Sequence, residues 1–143
     1  MPEATHETTI AQPRSVVFAY LADAENDAQW RPAVREIERV SGEGGVGTRY
    51  RQVVGGPGGR PVDADIEIIE HEPDRRLAFR GVAGPVRPTG TYELEDAEGG
   101  TRVRFRLSAE LTGVKKLMGP MVRRAMASEV ANLENLRRTL EAR

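Results

Sequence analysis

The clearest period-two pattern lies at residues 62–68, where Val62, Ala64, Ile66 and Ile68 alternate with Asp63, Asp65 and Glu67. Such alternation turns one face toward a core and the other toward water, as in a half-buried strand of an antiparallel sheet. Residues 101–111 repeat it, with Val103, Phe105 and Leu107 set between Arg102, Arg104 and Arg106. Shorter β-compatible runs occupy 5–10, 34–40, 48–54 and 89–95, and Leu77 and Phe79 carry the inward face onto one more strand. Turn-forming stretches separate them at 41–46, 55–59, 72–75 and 96–100. Strands joined by such short turns, with no helix between them, pair antiparallel and do not build a doubly wound parallel sheet.

At both ends of the chain the spacing becomes helical. Pro13, suited to a first helical turn, precedes Val16, Val17, Tyr20, Leu21 and Ala24. Residues 23–29 read either as a polar break or as a second short helix. Trp30-Arg31-Pro32 closes this stretch, because the residue before a proline avoids helical angles. Gly119-Pro120 opens the strongest helical signal, predicted to run to about residue 141 and ~33 Å long at the standard rise. Val122, Met126, Glu129, Leu133, Leu136 and Leu140 fall on one stripe, widened by Ala125, that is predicted to face the sheet.

A chain of 143 residues predicts a single domain spanning 1–143, able to bury about 70% of the surface of its unfolded form. The absence of cysteine excludes disulfides, thiolate metal sites and cysteine nucleophiles, and fits a reducing cytoplasm. The N-terminal residues 1–6 carry neither the basic region nor the apolar run of a signal peptide, and no segment approaches the ~18 apolar residues of a membrane span. A soluble cytoplasmic protein is the expectation. The net charge of -1 is unevenly spread: residues 101–143 hold 10 Lys/Arg against 4 Asp/Glu, and residues 1–100 hold 11 against 18. The basic end does not predict a nucleic-acid partner, because its arginines alternate along a strand or lie on the outer side of a helix with few aromatics to stack on bases.

Several local motifs, taken together and in order, resemble the SRPBCC superfamily (START-like, helix-grip) and most of all its polyketide cyclase/dehydrase-type members. They are residues 13–21 followed by Asp23, Trp30-Arg31-Pro32, Gly47-Thr48-Arg49-Tyr50, residues 66–77 with the Glu72-Pro73 turn, Gly90-Thr91-Tyr92-Glu93-Leu94, and Leu133-Glu134-Asn135-Leu136-Arg137. The resemblance implies an α+β fold with two short helices after the first strand and a seven-stranded curved antiparallel sheet gripping the long C-terminal helix. It implies a site between sheet and helix, but the family holds lipid carriers, hormone receptors, cyclases and chaperone cofactors, so fold alone does not choose a function.

Candidate chemistry is sparse. Residues 42–47 spell G-x-G-x-x-G, yet a dinucleotide site needs a helix beginning at the glycines, and residues 48–54 read as strand. The glycines are predicted to be a hairpin turn. His6 and His71 are the only histidines, no metal set is legible, and no cofactor is expected. Glu129 stands out, since it lies mid-stripe between Met126 and Leu133. Loss of hydration there favours the neutral carboxyl and would suit a general acid or base working with Tyr92, unless the sheet gapes there, or an inward arginine or Tyr92 itself satisfies it.

A small hydrophobic ligand is the expected partner, with oligomeric state left open. The predicted binding residues on the sheet are Ile66, Ile68, Leu77, Phe79, Tyr92 and Phe105; on the C-terminal segment they are Met118, Val122, Met126 and Glu129. Trp30 and Tyr50 are placed near the mouth. A cavity of several hundred Å³ is expected within the ~300–1,000 Å³ range of ligand sites. Two other functions compete: a cyclase, aromatase or dehydratase using Glu129 and Tyr92, and an interaction module docking through the basic C-terminal helix.

Overall fold

The computed structural model describes residues 2–143, so Met1, where the N-terminal reading begins, lies outside it. The chain runs β1 (Glu3–Ile10), α1 (Arg14–Ala22), a 3₁₀ segment (Ala24–Gln29), β2 (Val34–Ser41) and β3 (Arg49–Gly55). It continues through β4 (Pro61–Asp63), β5 (Ile66–Glu72), β6 (Arg76–Gly81), β7 (Thr89–Ala97) and β8 (Gly100–Ser108). A further 3₁₀ segment (Gly113–Met118) leads into α2 (Gly119–Ala131) and α3 (Leu133–Glu141). The sheet is antiparallel, in the order β1-β8-β7-β6-β5-β3-β2, with β4 beside β3. Among the described residues no helix is long and apolar enough to cross a membrane.

Seven strands form the path of the sheet. The eighth, β4, is the start of the stretch that the alternation at 62–68 makes continuous with β5. The two separate at Ala64-Asp65 because Asp65 Oδ1, not a main-chain carbonyl, accepts from the Gln52 N–H (3.1 Å). Gln52 closes the gap from the other side, its Nε2 donating to Ala64 O at 2.9 Å. The glycines at 42–47 connect β2 to β3 with positive φ at Gly42, Gly44 and Gly47, and a strand, not a helix, follows them.

Cross-strand registers stack the inward residues in rows. Ile68, Phe79, Gly90 and Leu107 stand opposite one another, and Leu77, Tyr92 and Phe105 form the next row, which ends at His6 on β1. The outer face of β8 carries Arg102, Arg104 and Arg106, which pair with Glu95, Glu7 and Glu3 on its two neighbours. Leu133, Leu136 and Leu140 of α3 and Val122, Met126 and Val130 of α2 close the concave side.

The C-terminal helix is long, as expected, but it is not one uninterrupted element. Asn132 bonds back only three residues, its N–H donating to Glu129 O at 3.1 Å, with ψ of -7°. This tightened turn lies where the helix is fastened to the chain: Asn135 Nδ2 donates to Trp30 O (3.1 Å) and to Asn132 Oδ1 (3.3 Å). Before this turn Val122, Met126 and Val130 are the buried residues of α2, and Glu129 sits half-buried at the border of their stripe.

Candidate functional site

The 3₁₀ segment after α1 places a guanidinium inside the protein. Asp23 caps it by accepting from Glu25 N (3.1 Å), and its last turn hands the chain to Trp30 and Arg31, whose N–H groups both donate to Asp27 O. Arg31 Nη1 then donates to Asp27 Oδ2 at 3.0 Å and to Gln52 Oε1 at 3.1 Å, while Nε donates to Glu129 Oε1 from the helix opposite. One positive charge therefore joins the segment after α1, strand β3 and helix α2.

Burial sets the state of the Asp27 carboxyl. Burial lifts the Asp27 carboxyl to about 6; the Arg31 charge and its hydrogen bond oppose the rise, and the nearby Glu129 charge adds to it. The indole N–H of Trp30 also favours the Asp27 anion slightly, although its geometry falls short of a full hydrogen bond. Burial pulls the Arg31 guanidinium down, but Glu129 and Asp27 together outweigh it, so its net direction is up and it stays charged. With one cation shared between two acids, burial outweighs the help Arg31 gives to Asp27, whose carboxyl is pushed toward its neutral form.

Against this cluster lies an aromatic wall. Tyr92 stacks on Phe105 with centroids 4.4 Å apart, and Trp30 meets both edge-on at 6.4 and 6.3 Å. Trp30 and Tyr92 are each 2% exposed, yet Trp30 Nε1 and Tyr92 Oη have no hydrogen-bond partner among the described residues. Buried polar groups are nearly always paired, so two orphaned donors in one place are unusual. Burial, then the Asp27 charge, pushes the Tyr92 phenol well above its ordinary value, which keeps its proton in place.

The interior is closed rather than hollow. Val103, Phe105, Leu133, Leu136 and Leu140 have no exposed surface, and a void of several hundred Å³ would leave such walls accessible to a water-sized sphere. This corrects the expected open cavity: the large inward aromatics and leucines pack on one another and fill the space. The little accessibility that remains is scattered over the core, at Val122, Phe79, Val34, Leu94, Phe18, Leu107 and Met126. Grooves of about 530, 270 and 540 Å³ lie elsewhere, lined mainly by charged and polar residues, and none includes Trp30, Tyr92 or Glu129.

Residues 1–141 match the family model described as polyketide cyclase / dehydrase and lipid transport. The chain belongs to this family. Among solved structures it is similar to TTHA0849 of Thermus thermophilus, at 28% identity and a TM-score of 0.83, with 99% of this chain and 98% of that one covered. It is similar in fold to a START superfamily protein of Mycobacterium smegmatis, at 14% identity and a TM-score of 0.81 over 98% of this chain and 97% of that one. The di-domain ARO/CYC StfQ of the steffimycin biosynthetic pathway aligns at 13% identity and a TM-score of 0.81, covering 98% of this chain and 50% of StfQ. No curated protein matches the chain.

On this polyketide cyclase/dehydrase-type frame, Trp30, Tyr92, Phe105 and Glu129 come together around Arg31, and Ile66, Ile68, Leu77, Phe79, Val122 and Met126 join the core below them. Met118 is half-buried at its edge. Tyr50 is also buried, and its remaining surface lines the groove of about 270 Å³ beside Ala22 and Asp23. Neither Trp30 nor Tyr50 is thus an open mouth residue. His6, partly buried at the end of its row, bonds Glu134 of α3 at 2.8 Å. Of the alternatives for Glu129, an inward arginine satisfies it. Asp27, Arg31 and Gln52 had no functional reading from sequence, although the i, i+4 spacing of Asp27 and Arg31 was visible.

Proposed function

We propose that the protein binds a small hydrophobic or amphipathic molecule, a lipid, polyketide or aromatic metabolite, between the sheet and the C-terminal helix. The observation that carries this reading is the pair of orphaned donors. Among the described residues Tyr92 Oη is buried without an acceptor and Trp30 Nε1 has only its imperfect approach to Asp27, an arrangement that costs stability unless a guest accepts from them. The family match to a lipid-transport and cyclase fold supports the same reading. The apolar walls match the hydrocarbon part of such a molecule, and the two donors match an oxygen on it. Because the interior is closed, entry proceeds by displacement of the side chains that close the sheet onto the C-terminal helix. A cysteine-free chain suits a reducing cytoplasm, where we place it. Native mass spectrometry of the freshly purified protein, followed by solvent extraction, tests the proposal. A stoichiometric apolar adduct supports it, and failure of acceptor-bearing lipids or aromatic polyketides to bind in titrations overturns it.

A second reading follows from the convergence of acids and donors: a cyclase, aromatase or dehydratase acting on a poly-carbonyl chain. Tyr92 then donates to a carbonyl oxygen, since its proton is firmly held, and Glu129 acts as acid or base from its place on Arg31. Asp27, lifted to about 6, is a further proton carrier behind them. Glu129→Gln separates the two readings: lost turnover with retained ligand affinity supports catalysis, and unchanged turnover removes Glu129 from the mechanism.

A further inference from the structure

Over most of the sheet, from β3 to β8, arginines are matched by carboxylates, and only Arg35 and Arg39 of the edge strand β2 have none among the described residues: Arg102, Arg104 and Arg106 as above, Arg80 with Glu67, Arg76 with Glu70 and Glu93, and Arg51 with Glu36 and Glu38. Residues 113–124 differ in concentrating unmatched cations in one short stretch. They hold Lys115, Lys116, Arg123 and Arg124, all exposed and none in an ion pair among the described residues, and no Asp or Glu occurs from 111 through 128. The same stretch carries the most exposed large apolar side chains of the fold, Leu117 at 86% and Val114 at 83%, with Met121 at 49%. In a 3₁₀ segment residues three apart stand directly above one another, so Val114 and Leu117 share a side, and Met121 follows one helical step later at the start of α2. An apolar ridge flanked by unmatched cations is the pattern of a segment that lies in the headgroup region of an anionic bilayer.

We infer that residues 113–124 form a docking face for an anionic lipid surface. Val114, Leu117 and Met121 enter the interface, and Lys116, Arg123 and Arg124 meet phosphate and carboxylate headgroups. Lys115 is partly engaged already, its Nζ donating to Pro85 O at 2.9 Å, which ties the segment to the 82–88 loop. Charge complementarity selects the lipid: a neutral bilayer offers the ridge its apolar layer but gives the cations no counter-charge. The inference stands on exposed residues and does not depend on what the interior binds.

The test uses the whole chain and vesicles of phosphatidylcholine with or without about one-third phosphatidylserine. Because the protein has no cysteine, Leu117→Cys takes a single polarity-sensitive label, and Glu98→Cys in the β7–β8 turn, at the opposite end of that strand pair, serves as the control position. The expected result is a blue shift of the label at 117 but not at 98 with anionic vesicles, and cosedimentation that weakens as salt rises. Each cation removed should weaken binding about fivefold, so K116Q/R123Q/R124Q loses roughly a hundredfold. Equal partition onto neutral vesicles, or a triple variant that binds like the parent, overturns the inference. So does an unshifted label in a protein that instead sediments as a dimer, which would make the ridge an interface between copies.

Discussion

Replacing Arg31 with methionine keeps most of the side-chain volume and removes the cation from the buried cluster. Asp27 and Glu129 then face each other without it. Removing one partner of a buried ion pair costs ~3–5 kcal/mol, because the remaining charge is stranded. Here the cost depends on pH, since a stranded carboxylate can take a proton. Bringing Asp27 from its ordinary 3.8 to the neutral form costs about 5 kcal/mol at pH 7.5 but only about 1.6 kcal/mol at pH 5. The native protein, with Asp27 at about 6, already carries about 3 kcal/mol of that at pH 7.5 and nearly all of the smaller amount at pH 5. Asp27 therefore adds about 2 kcal/mol to the loss at pH 7.5 and almost nothing at pH 5, with Glu129 making up the rest. The expected loss is about 4 kcal/mol at pH 7.5, falling to about 1–2 kcal/mol at pH 5. Urea unfolding followed by circular dichroism at both pH values measures it, with m-values compared to exclude a change in the unfolded state. Adding Asp27→Asn and Glu129→Gln should restore most of the stability at pH 7.5. An equal loss at the two pH values, or one under about 1 kcal/mol at pH 7.5, refutes the electrostatic account.

Three further outcomes follow from the same structure. The folded pKa of Asp27 is raised, so its penalty is present above about 6 and relieved as pH falls toward 3.8. Asp27→Asn should gain stability relative to the parent as pH rises from about 4 to 6 and level off above that, and a difference that stays flat from about pH 4 to 6 would contradict this. Glu134 behaves in the opposite way: the His6 hydrogen bond, then Arg137, holds it down to about 2, so its contribution is present above about 4.5 and fades as pH falls toward 2. At its partial exposure this is worth about 1 kcal/mol, and His6→Ala should unfold at a higher pH in an acid titration than the parent does. At Gly90 a Cβ would fall 2.2 Å from Phe79 Cζ, so Gly90→Ala should cost about 1–3 kcal/mol in urea unfolding, part of it recovered by Phe79→Leu.

The fold was legible because its signals are local and repeated. Alternation along β8 and around 62–68 marks the buried face, and short turns between strands leave antiparallel pairing as the outcome. Interruptions were less legible. The break at Ala64-Asp65 depends on where one carboxylate meets Gln52, and the tightened turn at Asn132 sits beside the Asn135 contact to Trp30, 105 residues away in sequence. The site was legible by half. Glu129 stood out as a charge in an apolar stripe, and Tyr92 as a large polar aromatic on an inward row. Their partner was hidden, because Arg31 sits in a short irregular segment where no periodicity says which way a side chain points. Asp27 was hidden for the same reason. A polar run such as 23–29 ordinarily signals solvent, and only the tertiary fold shows that Asp27 is inside it.

A closed interior and a binding function are compatible if opening is not too costly, and the cost can be bounded. Vacating about 150 Å³ between the sheet and the C-terminal helix costs about 4 kcal/mol at ~24 cal/mol per Å³, or about a thousandfold in affinity. A guest that fills the space regains the packing. One that also accepts from Tyr92 Oη and Trp30 Nε1 removes two buried unsatisfied donors, each costing about 1–3 kcal/mol. A hydrocarbon of equal volume regains only the first part. Isothermal titration should therefore rank a ketone or carboxylic ester above the matching alkane by at least about tenfold, and Tyr92→Phe should reduce that preference without weakening the alkane. Equal affinity for the two would mean that the donors face nothing the ligand reaches, and that the orphaned pair is a cost of packing alone.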